Sequence, residues 1–445
     1  RFPLEVLRAV RKQVGPDFPI LFRYSMEEFM PGGIDMEQAV RIAKVMADNG
    51  VDMLNVSIGI GESVEYIIPP ASVPDGWNAD RAAAIKRAVG SRIPVAVVGR
   101  ICNRKTAENI IASGKADLVA MGRALLADPF LPAKLAEGRD DEILTCIGCN
   151  EGCTGMLNEC RPISCALNPR TGYEDDYPMT QADAPKAVVV IGGGPAGCEA
   201  ALTAAQRGHK VVLFEATSTL GGLANIAALP PGKGVFATLG TYFSAMLPRA
   251  GVDVRLNTKA DADAVRALHP DHVIVATGGT PIVPRFCADS PVVLAQDILT
   301  GAAQAGSRVL VIGGGLVGSE TAEFLADKGR EVTVVELRDG IALDMEYKTR
   351  QMLMPKLAAL GVVCLTETEV LEIGCNGNVK VKTPYLEKEL SGFDTVVVAL
   401  GYRPDAALCA DLAAADIDFV QVGDCKKVGK IINGVWEAFQ LAYRI

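Results

Sequence analysis

Aromatic side chains are scarce, at 5% of 445 residues, with two tryptophans. That scarcity speaks against a β-sandwich core, which draws on them heavily. Histidine is rarer still. The three present are His209, His269 and His272, so the first 200 residues hold none as metal ligand or proton carrier. No Lys/Arg run reaches five residues and the net charge is -9, which excludes a nucleic-acid or anionic-membrane surface. No apolar run reaches 18 residues, so nothing is expected to span a bilayer. No secretory leader is visible. Twelve cysteines lack a small-domain disulfide pattern, and a reducing cytoplasm is expected.

What is abundant is glycine, 45 residues, within a chain that is 49% hydrophobic. This fits α/β layers with many tight turns, and the length implies two or three domains. The chain opens at Arg1 inside an amphipathic helix whose apolar face reads Leu4, Leu7, Val10 and Val14. It is expected to be a fragment that begins inside a longer protein. Strands are predicted at Ile20–Tyr24, Met53–Ser57, Val95–Val98 and Leu118–Met121. Helices are predicted at Asp35–Asn49, Asn78–Val89, Lys105–Ser113 and Arg123–Glu137. Four βα units make half of a (β/α)₈ barrel.

Loops after two of these strands carry candidate chemistry. Gly99-Arg100 ends one strand and Gly122-Arg123 ends the next. Barrels commonly bind phosphate after their last two strands. Glycine admits the backbone amides and arginine supplies charge. These four residues are therefore candidate contacts to a flavin phosphate. Arg23, at the end of the first strand, is placed to face the pyrimidine edge of that flavin. The plain alternative is surface or helix-capping arginines.

Cys146, Cys149, Cys153 and Cys165 follow, with gaps of two, three and eleven residues. Four such thiolates can close a [4Fe–4S] cube. A zinc knot and disulfides are the alternatives. The flanks favour the redox-active cluster, and Cys160 is read as a spare thiol. Residues 168–185 are polar and contain proline, and read as a linker.

Two dinucleotide fingerprints come next. A strand at Lys186–Ile191 runs into Gly192-Gly193-Gly194-Pro195-Ala196-Gly197. A helix follows, then a strand ending at Glu215. Gly192 makes the turn, Gly194 admits a pyrophosphate with Ala196 beside it, Gly197 allows helix packing, and Glu215 binds ribose. The second copy lies about 120 residues on. Gly313, Gly315 and Gly318 lead into a helix, and the following strand ends at Glu336. Such an acid binds the ribose 2′-hydroxyl and repels a 2′-phosphate, which favours NADH over NADPH. Arg338 weakens that preference.

Arg23 in LFRYS, then VVGRI, VAMGRALLADP and the CxxCxxxC run, resemble the iron–sulfur branch of the old yellow enzyme family. That branch includes 2,4-dienoyl-CoA reductase, enoate reductase, trimethylamine dehydrogenase and bile-acid-type NADH:flavin oxidoreductases. The resemblance spans the chain. It implies the second half of an FMN-binding TIM barrel, a 4Fe-4S segment and two Rossmann-like FAD and NAD(P) domains. The implied bounds are 1–140, 141–185, 186–304 with 390–445, and 305–389. It also implies that the first four barrel strands and the usual tyrosine proton donor lie in a preceding segment. Leu220-Gly221-Gly222-Leu223 and Lys233 resemble the FAD-contacting segment, and the backbone at Ala260 is expected to frame the adenine. VIVATG, with Thr277 and Gly278, resembles the strand-turn that closes such FAD domains. Phe393–Gly401 is read as another closing turn of that domain. VQVGD resembles the motif that sets Asp424 on the FAD, and the last helix, Gly434–Arg444, would point its N-terminus at the flavin.

The implied activity is NADH-dependent reduction of a C=C bond in an unsaturated carbonyl compound. Electrons would pass from NADH through FAD, the cluster and FMN to substrate. The histidine that dienoyl-CoA reductases carry after the sixth strand is missing. Tyr66 offers a hydroxyl in that loop, with packing as its plainer role. Alternatives are a trimethylamine-type dehydrogenase, whose second nucleotide site is degenerate, or an electron-transfer subunit. The implied partner is a small molecule, and a homo-oligomer is compatible.

Overall fold

The computed structural model describes residues 1–287, 290–374 and 377–445. They form two compact units, residues 1–140 with 148–150, and residues 141–147 with 151–445.

The smaller unit opens with α1 (Phe2–Val14), β1 (Leu21–Ser25), α2 (Met36–Asp48) and β2 (Met53–Ser57). It continues with α3 (Ala79–Val89), β3 (Val95–Val98), α4 (Arg104–Ala112) and β4 (Leu118–Ala120). The strands pair in parallel in the order β1-β2-β3-β4. Leu54, Val56, Val95 and Val97 bury one face against Ala39, Ala43, Met46, Ala82, Ile85 and Val89. Asp35 caps α2 in a capping box with Gln38, which satisfies two amides that the first turn leaves open.

Two expectations are corrected here. The apolar face of α1 does not continue through Val10 and Val14, which stand exposed. The packed stripe runs Leu4, Leu7 and then Arg11, whose guanidinium reaches Asp52 at 2.5 Å and the Gly50 carbonyl at 2.9 Å. The single helix expected over 123–137 is two, α5 (Arg123–Ala127) and α6 (Leu131–Glu137). Asp128 leaves helical geometry, at φ -139 and ψ 98, because Pro129 has no amide to donate and restricts the residue before it.

The larger unit holds two five-stranded parallel sheets. The first starts with β5 (Ala187–Ile191), followed by α7 (Pro195–Gln206), β6 (Lys210–Phe214), β7 (Asp253–Arg255) and β8 (His272–Val275). The second contains β9 (Val292–Leu294) and β10 (Arg308–Ile312), which leads into α8 (Leu316–Asp327). It then adds β11 (Glu331–Val335), β12 (Val363–Leu365) and β13 (Thr395–Val398). The chain returns to the first sheet with β14 (Val420–Gln421) and ends in α9 (Ile431–Tyr443). The orders are β14-β8-β5-β6-β7 and β9-β13-β10-β11-β12. β13 thus closes the second sheet, where the sequence reading had returned Phe393–Gly401 to the first. β9 also lies in the second sheet. Short buried valine-rich strands look alike, and their pattern does not say which sheet they join.

Residues 168–185 contain no strand or helix, as expected of a linker. Two tyrosines nevertheless fix them to α9. Tyr173 meets Trp436 edge-on at 5.5 Å, and Tyr177 meets Phe439 at 5.2 Å.

Candidate cofactor sites

Gly99-Arg100 and Gly122-Arg123 follow the C-terminal ends of β3 and β4, where such sheets place ligands, whereas Arg23 is the middle residue of β1 and not at its end as the sequence suggests. Arg23 is exposed on β1, in register with Asn55. Gly99 has φ +136, and a Cβ there would meet Asn78 Nδ2 at 2.4 Å, so only glycine fits. Arg100 adopts φ +45 and is 5% exposed. Its Nη2 donates to Asp75 Oδ1 at 2.8 Å, and Asn103 holds the other Asp75 oxygen at 2.8 Å. Its Nε and Nη1 are buried with no hydrogen-bond partner. A buried cation with open donors fits an anionic group such as a flavin phosphate.

Gly122 precedes α5, whose first residue is Arg123. Arg123 Nη1 donates to the Pro69 carbonyl at 2.8 Å and to Asn150 Oδ1 at 2.6 Å. Asn150 Nδ2 in turn holds the Ile68 carbonyl at 2.9 Å. Arg123 is therefore tied into the loop after β2, a role its position in the sequence did not reveal. Tyr66 lies in that loop. Its ring stacks on Phe29 at 4.1 Å and sits 6.0 Å from Trp77. Ring packing accounts for it.

The thiol segment has a buried centre at Cys165. Leu167 N–H donates to its Sγ at 3.5 Å, and Trp436 Nε1 donates to its carbonyl at 2.9 Å. Gly152 must be glycine, since a Cβ would lie 2.7 Å from the Cys165 carbonyl carbon. Burial first, with the Cys146 and Cys153 thiols adding to it, pushes the Cys165 thiol up to about 12. A buried thiol of this kind becomes a thiolate when a bound metal supplies positive charge. The donor set and the amide aimed at sulfur fit an iron–sulfur cluster. Among the described residues, no three His, Cys, Asp or Glu side chains are grouped to hold a metal ion. Cys149 belongs with residues 148–150 of the smaller unit, and its place as fourth ligand rests on sequence spacing.

Both glycine turns are built alike. Gly192 at φ +112 and Gly313 at φ +99 make the turns. A Cβ on Gly197 would stand 1.9 Å from Gly192 O, and one on Gly318 would stand 1.8 Å from Gly313 O. Open space lies over Gly194, as close approach of a pyrophosphate requires. Glu215 Oε2 accepts Gly193 N–H at 2.7 Å, and Glu336 Oε2 accepts Gly314 N–H at 2.6 Å. Each acid thereby fixes its own turn, a task sequence reasoning missed. Gly222, at φ +50, would bring a Cβ to 3.0 Å from Gly194 Cα, so Gly222-Leu223 lies on the first turn. Ala196 packs against Gly423 and Gly434, which seats α9 on α7.

Lys233 Nζ pairs with Glu320 Oε1 of α8 at 2.6 Å. Burial raises the Glu320 carboxyl, and Lys233 pulls it back. Ala260 lies in the apolar core beside Val265 and Val275. Thr277 Oγ1 donates to the Asp405 carbonyl at 2.8 Å, and Gly278 has φ +81. Asp424 accepts Gly429 N–H at 3.0 Å, while burial raises its carboxyl. At the start of α9, Lys430 Nζ pairs with Glu151 Oε1 at 2.8 Å.

One buried acid in α7 yields a stability prediction. Burial pushes Glu199 up to about 7 from 4.5, and the Thr203 hydroxyl partly opposes this. The folded chain then binds more protons than the unfolded chain between those values. Stability falls as pH rises from about 4.5 to about 7, and the deficit persists above. Glu199→Gln keeps the acceptor for Thr203 and removes the charge. It is expected to gain roughly 3 kcal/mol at pH 8 and nothing near pH 4.5. Thermal unfolding across pH checks this, and parallel profiles for the two proteins would refute it.

Residues 1–142 match the NADH:flavin oxidoreductase / NADH oxidase family, and residues 186–424 match the pyridine nucleotide-disulphide oxidoreductase family. The NADH oxidase of Thermoanaerobacter brockii is 43% identical, covering 100% of this chain and 69% of the relative. The cinnamate reductase of Clostridium sporogenes is 32% identical, covering 100% and 69%. A solved 2-naphthoyl-CoA reductase, in complex with 2-naphthoyl-CoA, superposes with a TM-score of 0.94 at 32% identity, covering 100% of this chain and 68% of that one. Other relatives are named N,N-dimethylglycine/sarcosine dehydrogenase and dimethylamine dehydrogenase. No helix among the described residues is long and apolar enough to cross a membrane. With a barrel segment, a thiol run and two glycine turns in this order, the chain belongs to the old yellow enzyme-like family of flavin and iron–sulfur oxidoreductases.

Proposed function

We propose that the chain serves an NADH-dependent reductase of activated C=C bonds in α,β-unsaturated carbonyl compounds, such as enoates or acyl-CoA thioesters. The observation that carries NADH dependence is the intact second turn, with buried Glu336 holding the Gly314 amide. The names of the cinnamate and 2-naphthoyl-CoA reductases support the substrate class. An intact nucleotide turn favours NADH over an amine as electron source. In this reading residues 1–140 are the FMN half-barrel and 141–185 the cluster segment. The first sheet, β5 to β8 with β14, would bind FAD, and the second, whose strands run from Val292–Leu294 to Thr395–Val398, would bind NADH.

Arg23, Gly99, Arg100, Gly122 and Arg123 would hold FMN, with the open donors of Arg100 on its phosphate. Gly192, Gly194, Ala196, Gly197, Glu215, Gly222, Leu223, Lys233, Ala260, Thr277, Gly278 and Asp424 would hold FAD. Gly313, Gly315, Gly318 and Glu336 would hold NADH. Cys146, Cys149, Cys153 and Cys165 would ligate the cluster. When bound, these groups supply hydride transfer at the two flavins and single-electron transfer at the iron. The residues position them. Glu215 and Glu336 present carboxylates to ribose hydroxyls, and the glycines admit phosphates to backbone amides.

Enzyme prepared without oxygen is expected to carry FMN, FAD and about four irons per chain. NADH consumption is expected to rise on adding a cinnamate-type enoate, with NADPH at least about tenfold poorer. Dye reduction driven by an amine without NADH, or no turnover until a second protein is added, would overturn the reading.

A further inference from the structure

Glu336 begins a loop that folds back on the second glycine turn. Ala342 N–H donates to the Gly314 carbonyl at 2.7 Å, and Met345 N–H donates to the Ala342 carbonyl at 3.1 Å. Ala342 is fully buried and held at φ +53, a conformation that costs a non-glycine residue energy. This fold carries Asp344 to the N-terminus of α8. Its Oδ1 accepts Leu316 N–H at 2.9 Å, with Oδ2 at 3.2 Å. A Cβ on Gly315 would stand 3.2 Å from Asp344 Oδ2. Arg338 lies between two acids, its Nε 3.1 Å from Glu336 Oε1 and its Nη2 3.8 Å from Asp344 Oδ1.

The amide that a dinucleotide pyrophosphate meets in such a turn is therefore already taken by a carboxylate. Two anions cannot share one N–H at a helix end. The Asp344 side chain is 49% exposed, so it has room to swing into solvent. We propose that Asp344 is a built-in competitor for the nucleotide's pyrophosphate. It caps α8 and engages Arg338 when the turn is empty. The incoming nucleotide displaces it, and Arg338 is released towards the bound phosphates. The proposal rests on the reading of this turn as the NADH site.

Calorimetric titration of the oxidised, cofactor-loaded enzyme with NAD⁺, ADP-ribose and adenosine tests it. A helix cap of this kind corresponds to about a fivefold change in an equilibrium constant. Asp344→Ala is expected to bind NAD⁺ and ADP-ribose about fivefold more tightly, and to bind adenosine, which lacks phosphate, unchanged. Its unliganded unfolding temperature is expected to fall through loss of the cap. Asp344→Asn keeps an acceptor for Leu316 but loses the charge, and is expected to lie between wild type and the alanine variant. It also serves should the alanine variant fold poorly. Equal or weaker NAD⁺ binding in both variants, or an equal gain for adenosine, would overturn the proposal while leaving the NADH site intact. A wild-type enzyme that binds no NAD⁺ would instead sink the site assignment, and this proposal with it.

Discussion

Gly197→Ala is expected to leave the protein without FAD, and Gly318→Ala to weaken NADH binding about a hundredfold while FAD stays. In each turn the third glycine lies where a helix crosses the carbonyl of the first. A methyl group would stand 1.9 Å from Gly192 O in one case and 1.8 Å from Gly313 O in the other. Non-bonded heavy atoms settle at about 3.5 Å, so the helix must retreat by more than about 1 Å. The obstructing atom is backbone, in a turn already committed to positive φ, and it cannot rotate aside as a side chain would. Overpacking of this kind costs about 3 kcal/mol, or roughly a hundredfold in cofactor affinity. Released flavin per chain, circular dichroism and NADH-driven dye reduction separate the two variants. Gly197→Ala is expected to keep FMN and lose FAD. Gly318→Ala is expected to keep both flavins and bind NADH about a hundredfold more weakly. Ordinary FAD content in the first and ordinary NADH kinetics in the second would show that neither turn is a nucleotide cradle.

These turns were legible in the sequence because everything that defines them is local. Gly193 and Glu215 lie 22 residues apart, as do Gly314 and Glu336, and each pair closes through one hydrogen bond. The parallel strands of the smaller unit were legible for the same reason. Met53–Ser57 and Val95–Val98 stand at the bounds read from the sequence. What the sequence hid depends on residues far apart in the chain. Lys233 reads as a flavin contact, but Glu320, 87 residues on, holds its ammonium. Arg123 reads as a phosphate ligand, yet Asn150 and the Pro69 carbonyl already share one of its nitrogens. Asp344 carries no motif at all. Its meaning comes from Leu316, 28 residues earlier, across a loop bent by one left-handed alanine. The break between α5 and α6 is different in kind. Pro129 announced it, and a continuous apolar rhythm concealed it.

Cys165→Ser is expected to empty the thiol segment of iron while leaving the nucleotide end working. Serine matches the shape of cysteine but offers a harder oxygen in place of a soft thiolate, the donor that iron–sulfur clusters select. The fold around this position does not rely on the sulfur. Trp436 holds the Cys165 carbonyl, Gly152 packs on its backbone, and Tyr173 braces Trp436 from the side. Circular dichroism and FAD content are therefore expected to match wild type. Iron is expected to fall from about four per chain to below one. Enoate reduction driven by NADH is expected to fall by about a hundredfold or more, with NADH-driven dye reduction at FAD kept within about twofold. Cys160→Ser is the control, since Cys160 is exposed and outside the ligand spacing, and it should leave iron and turnover unchanged. The two assays together separate loss of the cluster from loss of the fold, because a misfolded larger unit would lose dye reduction as well. Full iron and full enoate turnover in Cys165→Ser would remove Cys165 from the ligand set, and zinc in the wild-type protein would replace the electron-carrying reading of this segment with a structural one.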